Sequence, residues 1–184
     1  WLVAAQTLGE QLVKDDDTLV LKKRFFVDDA NVGRDDPVQL HLVYVQCRDA
    51  IVDGDHPVSD KEAVEFCALQ CQIDFGNHNP SLHQPGWLKM ETCLPPSNRK
   101  AGIEKAVVEE YKKLVGMTEI NAKYRYVQAC RALKTYGVTF FQCEMPDPMD
   151  KKKSTPLLMG VTRDAILFMD PNTKIMKKEY PLIH

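Results

Sequence analysis

Long apolar runs are missing from this 184-residue chain, and no stretch approaches the roughly 20 consecutive apolar residues of a membrane span. The N-terminus also lacks a basic segment followed by an apolar run and a small-residue cleavage site, so nothing reads as a secretory leader. Paired CxxC motifs are absent. The six cysteines, Cys47, Cys67, Cys71, Cys93, Cys130 and Cys143, are scattered as in a reducing compartment, where thiols stay free and buried. There is no P-loop, no GxGxxG, no GxSxG and no HExxH. An enzyme is not expected, nor a bound cofactor. Tyr111, Tyr124, Tyr126 and Phe66 do not interleave with basic residues as a nucleic-acid platform requires, and they read as core.

What is present is an ordinary globular mixture, 44% hydrophobic and 27% charged, which excludes disorder and is long enough to bury a core without staples. The formal charge of -2 conceals an asymmetry. Residues 36–88 hold two basic against eight acidic side chains, and residues 89–134 hold ten against five. One face can therefore meet an anionic partner while the protein stays soluble, unless the two halves pair internally.

Along the chain, a polar turn at Lys14 to Asp17 leads into a β-prone run from Thr18 to Phe26 that has no partner strand of its own. Asp36-Pro37 caps a helix over about 37–52, with Val38, Leu42, Val45 and Val52 as its apolar positions. Ser59-Asp60-Lys61-Glu62 is a capping box for a second helix running to Gly76. A long loop follows to Asn98, anchored by Trp87, Leu88 and Leu94. A third helix spans about 102–114 and a fourth starts at Thr118, runs through Ile120, Tyr124, Val127, Ala129 and Leu133, and ends before Gly137. Four helices without an intervening strand make a small bundle. From Gly137 the spacing turns β-rich, at Val138–Cys143, Leu157–Val161, Ala165–Met169 and Lys174–Tyr180, with Asp170-Pro171-Asn172-Thr173 as turn chemistry in an antiparallel meander. Both ends read as cut lobes.

Cys71, His78 and His83 are close in sequence, but their spacing fits no common zinc pattern, so no metal site is expected. Cys67 and Cys71, one turn apart, read as packing. The more telling residues are basic. Arg99, Lys100 and Lys105 flank the start of the third helix, and Lys151, Lys152 and Lys153 lie between the first two strands. Anionic headgroups attract such residues at about 1 kcal/mol each, and a solvated charged face is the competing reading.

Several phrases carry a resemblance: Asp36-Pro-Val-Gln-Leu40 to Tyr44-Val-Gln46, His56-Pro-Val-Ser59, Cys71-Gln-Ile73 with Phe75-Gly76, and Leu133 to Val138 followed by Phe140-Phe141. Together they resemble the heads of talins, adhesion proteins of the FERM family, over nearly the whole chain. The resemblance implies an α+β FERM fragment. Residues 1–27 would be the end of a ubiquitin-like first lobe and 28–136 a helical second lobe like acyl-CoA-binding bundles. Residues 137–184 would be the first half of a PH/PTB-like third lobe. It implies an adapter on the inner face of the plasma membrane at adhesions, binding acidic phosphoinositides, activating integrins through the β-subunit tail, and reaching actin through the full-length protein. By position, Arg99, Lys100, Lys105, Lys151, Lys152 and Lys153 would meet the membrane, and Lys153 and Ser154 the integrin helix. Gln84 stands where the family has a lysine, and Ser154 where a leucine packs on that helix. The tail-peptide groove uses a later strand outside these residues, so strand addition of the tail is not expected here. Two other readings stay open: a FERM scaffold of a kinase, phosphatase or myosin, and a bundle binding an acyl ligand.

Overall fold

The computed structural model describes residues 2–20, 22, 32–146, 153–162 and 164–182. The β-prone run expected over 18–26 falls largely outside them, and residues 18–20 and 22 are not in a strand. The turn at Lys14 forms, with the Lys14 amide donating to Asp17 Oδ2 at 2.8 Å.

Helix α1 spans Pro37–Val52 and starts where Asp36 accepts from the Gln39 amide at 2.9 Å. Its buried stripe is Leu40, Tyr44, Cys47 and Ile51, which corrects the sequence expectation, since Val38 and Leu42 are 70% and 63% exposed. Two stripes at helical spacing competed for the core. The one carrying the tyrosine won, because a ring buries more area than a valine.

Helix α2, Asp60–Phe75, opens on the Ser59–Glu62 capping box and ends at Gly76, whose φ of 72° lies where a side chain would be strained. Helix α3, Ile103–Lys112, turns Ile103, Val107 and Tyr111 inward. Helix α4, Glu119–Arg131, is capped by Thr118 and stops short of the expected Gly137 boundary, with residues 132–137 forming turns. Ile120 is exposed, and Ala122, Tyr126, Val127 and Cys130 form its core face. Helices α1, α2 and α4 pack about Tyr44, Phe66 and Tyr126, where the Tyr126 ring meets Tyr44 edge-on at 5.1 Å and Phe66 at 4.8 Å, and α3 lies against α2.

Residues 77–98 are held by specific bonds. Asn77 Oδ1 accepts from the Gly116 amide at 2.8 Å, and Glu104 Oε1 in the first turn of α3 accepts from Gly86 at 2.8 Å. The expected anchors are in place: Leu88 and Leu94 are buried and Trp87 packs against the core.

Strands β1 (Phe140–Pro146), β2 (Ser154–Val161), β3 (Ala165–Met169) and β4 (Met176–Pro181) form one antiparallel sheet in the order β1-β2-β3-β4, the expected meander. Asp170 Oδ1 accepts from the amides of Asn172 and Thr173 in the β3–β4 turn. The sheet meets the bundle through the segment after α4: Thr135 Oγ1 donates to the Pro57 carbonyl at 3.2 Å and Lys134 pairs with Glu179 at 2.6 Å.

Candidate functional site

The basic surface is built around the start of α2. Asp60 at the first helical position faces the positive end of the helix dipole, and its carboxylate accepts from Lys100 Nζ at 2.8 Å and Asn98 Nδ2 at 2.7 Å. The Lys100 bonds, and then that of Asn98, hold the Asp60 carboxyl below its ordinary range. Arg99 donates from Nε to the Leu94 carbonyl at 2.9 Å and from Nη2 to the Glu91 carbonyl at 3.3 Å. Both residues thus secure the end of the long loop while remaining exposed. Lys105 is exposed on α3 and adds to the charge around Glu109, whose carboxyl is lowered chiefly by Lys112. A groove of about 490 Å³ between α2 and α3 is lined by Asp60, Val64, Lys100, Ile103 and Ala106.

The structure brings Gln84 into this neighbourhood indirectly. Its Nε2 donates to the Pro80 carbonyl, and its loop is fastened at Gly86 to Glu104, the neighbour of Lys105. In the sheet, Ser154 Oγ donates to Glu144 Oε2 at 2.6 Å across the β1–β2 pair, beside the exposed Lys153. Lys151 and Lys152 lie outside the described residues.

A four-helix bundle followed by an antiparallel four-stranded meander is an architecture shared with known proteins. The family model for the FERM central domain matches residues 30–141. The chain belongs to the FERM family. It is 57% identical over its whole length to Talin-B of Dictyostelium discoideum, and 44% identical over 99% of its length to Talin-1 of Gallus gallus. In each case it spans 7% of the relative. Among solved structures, the Dictyostelium discoideum Myosin VII MyTH4-FERM MF2 domain, mutant 1, is similar in fold, with a TM-score of 0.62 at 19% identity, covering 86% of this chain and 34% of that one.

Within this FERM chain the remaining sequence candidates separate by environment. Cys71 is buried in the core with Cys67 and Cys93, whose Sγ atoms lie 2.8 Å apart. Hydrogen bonding to Cys71 and Cys93, with burial, pushes the Cys67 thiol up, so it is a poor nucleophile. His78 and His83 instead join an aromatic cluster, with His83 tilted over Trp87 at 4.2 Å and His78 edge-on to Tyr111 at 5.4 Å. Burial, and then the nearby His78, hold His83 below its ordinary value. Among the described residues no three side chains of His, Cys, Asp or Glu converge to hold a metal ion. No described helix is long and apolar enough to cross a membrane.

Two residues escaped the reading of the sequence. Asp60 reads as a helix-start acid, but it is the partner of Lys100, and only a fold that brings residue 100 back to the start of α2 reveals that. Gln70 reads as part of a helix face, yet it is 5% exposed and polar, a conflict visible only with burial in hand.

Proposed function

We propose that this chain is part of a talin-like cytoskeletal adapter that docks on acidic phospholipid membrane through the exposed basic residues around α3. The identity to talins along the entire chain is the observation that carries this reading. In that assignment residues 1–27 end the first lobe, 28–136 form the second and 137–184 begin the third. When complete, the head binds integrin β tails on the cytoplasmic side and the full protein reaches actin.

The chemistry supports docking by attraction rather than insertion. Lys100 holds its charge near the surface through Asp60, Lys105 is exposed in the first turn of α3, and Lys153 adds charge just before β2. Asp60 neutralises part of the Lys100 field, and Gln84 contributes none, so the patch is weaker than a count of lysines suggests. The bundle interior is filled by Tyr44, Phe66 and Tyr126, which favours an adapter over a carrier of acyl chains.

Co-sedimentation with vesicles tests the reading. Binding is expected to vesicles containing phosphoinositide, to fade with added salt as screening shortens the field, and to be absent on neutral vesicles. Lys100→Gln with Lys105→Gln removes at most two contributions of about 1 kcal/mol each, less at Lys100 because of Asp60, a loss between about 5-fold and about 30-fold in partitioning. Salt-independent binding, or no effect of the pair, overturns the docking surface. Lysine to glutamine is preferred at 100, because a glutamate there would sit against Asp60 and disturb α2.

A further inference from the structure

The open end of the β1–β2 hairpin carries a hydroxyl that neither the bundle core nor the docking residues around α3 use. Ser154 opens β2 and is exposed, and in sequence it directly follows Lys151-Lys152-Lys153. Its Oγ donates to Glu144 Oε2 at 2.6 Å, diagonally across the pairing that sets Pro146 opposite Ser154. Glu144 is exposed as well, so the hydroxyl is held at the surface, within reach from solvent.

The backbone around it is laid out as an extended substrate would be. β2 pairs with β1 from Ser154 onward, but its pairing with β3 begins at Leu158, so among the described residues one edge of 154–157 carries no strand. Thr155 differs from its neighbour in two ways. Side chains alternate along a strand, and Thr155 takes the other face, where it lines a hollow with Met145, Leu157 and Phe168. It is also followed by Pro156, which has no N–H to offer an enzyme just past the acceptor. Ser154 has neither handicap.

An open-edged strand start with a hydroxyl behind three consecutive lysines suits an enzyme with an acidic cleft, because complementary charge fixes the register of the chain against the reacting group. We infer that Ser154 is a phosphorylation site for a protein kinase that reads basic residues ahead of its serine, and that the phosphate offsets the charge of the basic run. Ser154 Oγ attacks the γ-phosphorus of magnesium-bound ATP. The P–Oγ bond forms as the bond to the β–γ bridging oxygen breaks, ADP leaves, and the hydroxyl proton passes to the base of the kinase. The product carries a charge of about -1.5 to -2 at pH 7, which repels Glu144 and ends the present hydrogen bond. Three residues of chain reach at most about 11 Å, so the phosphate stays near the backbone of all three lysines. The modification stands on the geometry of the hairpin, whereas its effect on docking rests on the membrane reading above.

The test treats the 184-residue chain with magnesium-ATP and the catalytic subunit of cyclic-AMP-dependent protein kinase, and locates phosphate by peptide mass spectrometry. Phosphate is expected on Ser154 and absent in Ser154→Ala, a change at an exposed position that spares the fold. Lys151→Gln with Lys152→Gln keeps the serine and should lower kcat/KM for the transfer at least about tenfold, as charge-assisted bonds to the kinase are lost. On phosphoinositide vesicles the phosphorylated chain should partition about 10- to 30-fold less than the unmodified chain, while kinase-treated Ser154→Ala should bind as before. No phosphate on Ser154, phosphate on Thr155 in its place, or an unchanged rate in the lysine pair overturns the site. Equal sedimentation of the phosphorylated chain and an unmodified chain that binds overturns the effect on docking. Failure of the unmodified chain to bind overturns the docking reading instead, and the phosphate map still decides the site.

Discussion

His56 shows how much one side chain can carry. It is buried in the α1–α2 turn, its Nε2 accepts from the Gly137 amide at 3.4 Å, and its ring meets Tyr136 edge-on at 5.9 Å. Burial holds its pKa below the ordinary 6.5, partly offset by the Asp55 carbonyl. The folded state therefore binds fewer protons than the unfolded chain as pH falls below 6.5. The stability from His56 is complete above that pH and is lost as pH drops toward the folded value, with His83 adding in the same sense. The urea midpoint is expected to fall between pH 7.5 and 5.5, and the fall should be shallower in His56→Gln. An identical slope in the variant would remove His56 from the account. Gly160 is constrained by shape instead: a Cβ there would meet Phe140 Cε1 at 2.6 Å and Val138 Cγ1 at 2.7 Å. Gly160→Ala should cost about 1–3 kcal/mol by forcing these side chains aside, measurable as a lowered midpoint with an unchanged denaturant slope.

At the scale of helices and strands, the caps were legible in the sequence and the buried faces were not always so. Asp36, Ser59 and Thr118 start the helices they announce, because a side-chain acceptor before a run of free amides is a local interaction needing no knowledge of the fold. The inward face of α1 depends on what packs against it. Val38 and Leu42 repeat at helical spacing as well as Leu40, Tyr44 and Cys47 do, and only the position of Tyr126 on α4 decides between them. This gives a sharp comparison between neighbours of identical chemistry. Leu40→Ala should lose about 2–5 kcal/mol through its cavity, whereas Leu42→Ala should stay within about 0.5 kcal/mol. Chemical denaturation of the two variants side by side checks it, and equal losses would mean that the exposed stripe is covered in solution.

For the molecule as a whole, the order of a helical bundle and then a meander could be read from spacing and turn chemistry. Its sites were legible only in part. Arg99, Lys100 and Lys105 stand out as charge, but the Asp60 that anchors Lys100 lies 40 residues away in the chain. The joint between bundle and sheet is likewise invisible in sequence. Among the described residues the joint includes Thr135 to the Pro57 carbonyl, His56 to Gly137 with its ring against Tyr136, and the exposed Lys134–Glu179 pair. Their weights differ by burial. Exposed ion pairs contribute about 0–1 kcal/mol, whereas loss of the buried Thr135 hydroxyl leaves the Pro57 carbonyl without that donor at about 1–3 kcal/mol. The orientation of the sheet should therefore follow Thr135. In Thr135→Val, hydrogen exchange at Gly137 and Val138 is expected to quicken about five- to tenfold or more, since 1 to 1.4 kcal/mol corresponds to that range in an opening equilibrium. Lys134→Ala should leave those amides unchanged. If the ranking were reversed, the exposed ion pair would be the hinge, and the angle between bundle and sheet would then depend on ionic strength.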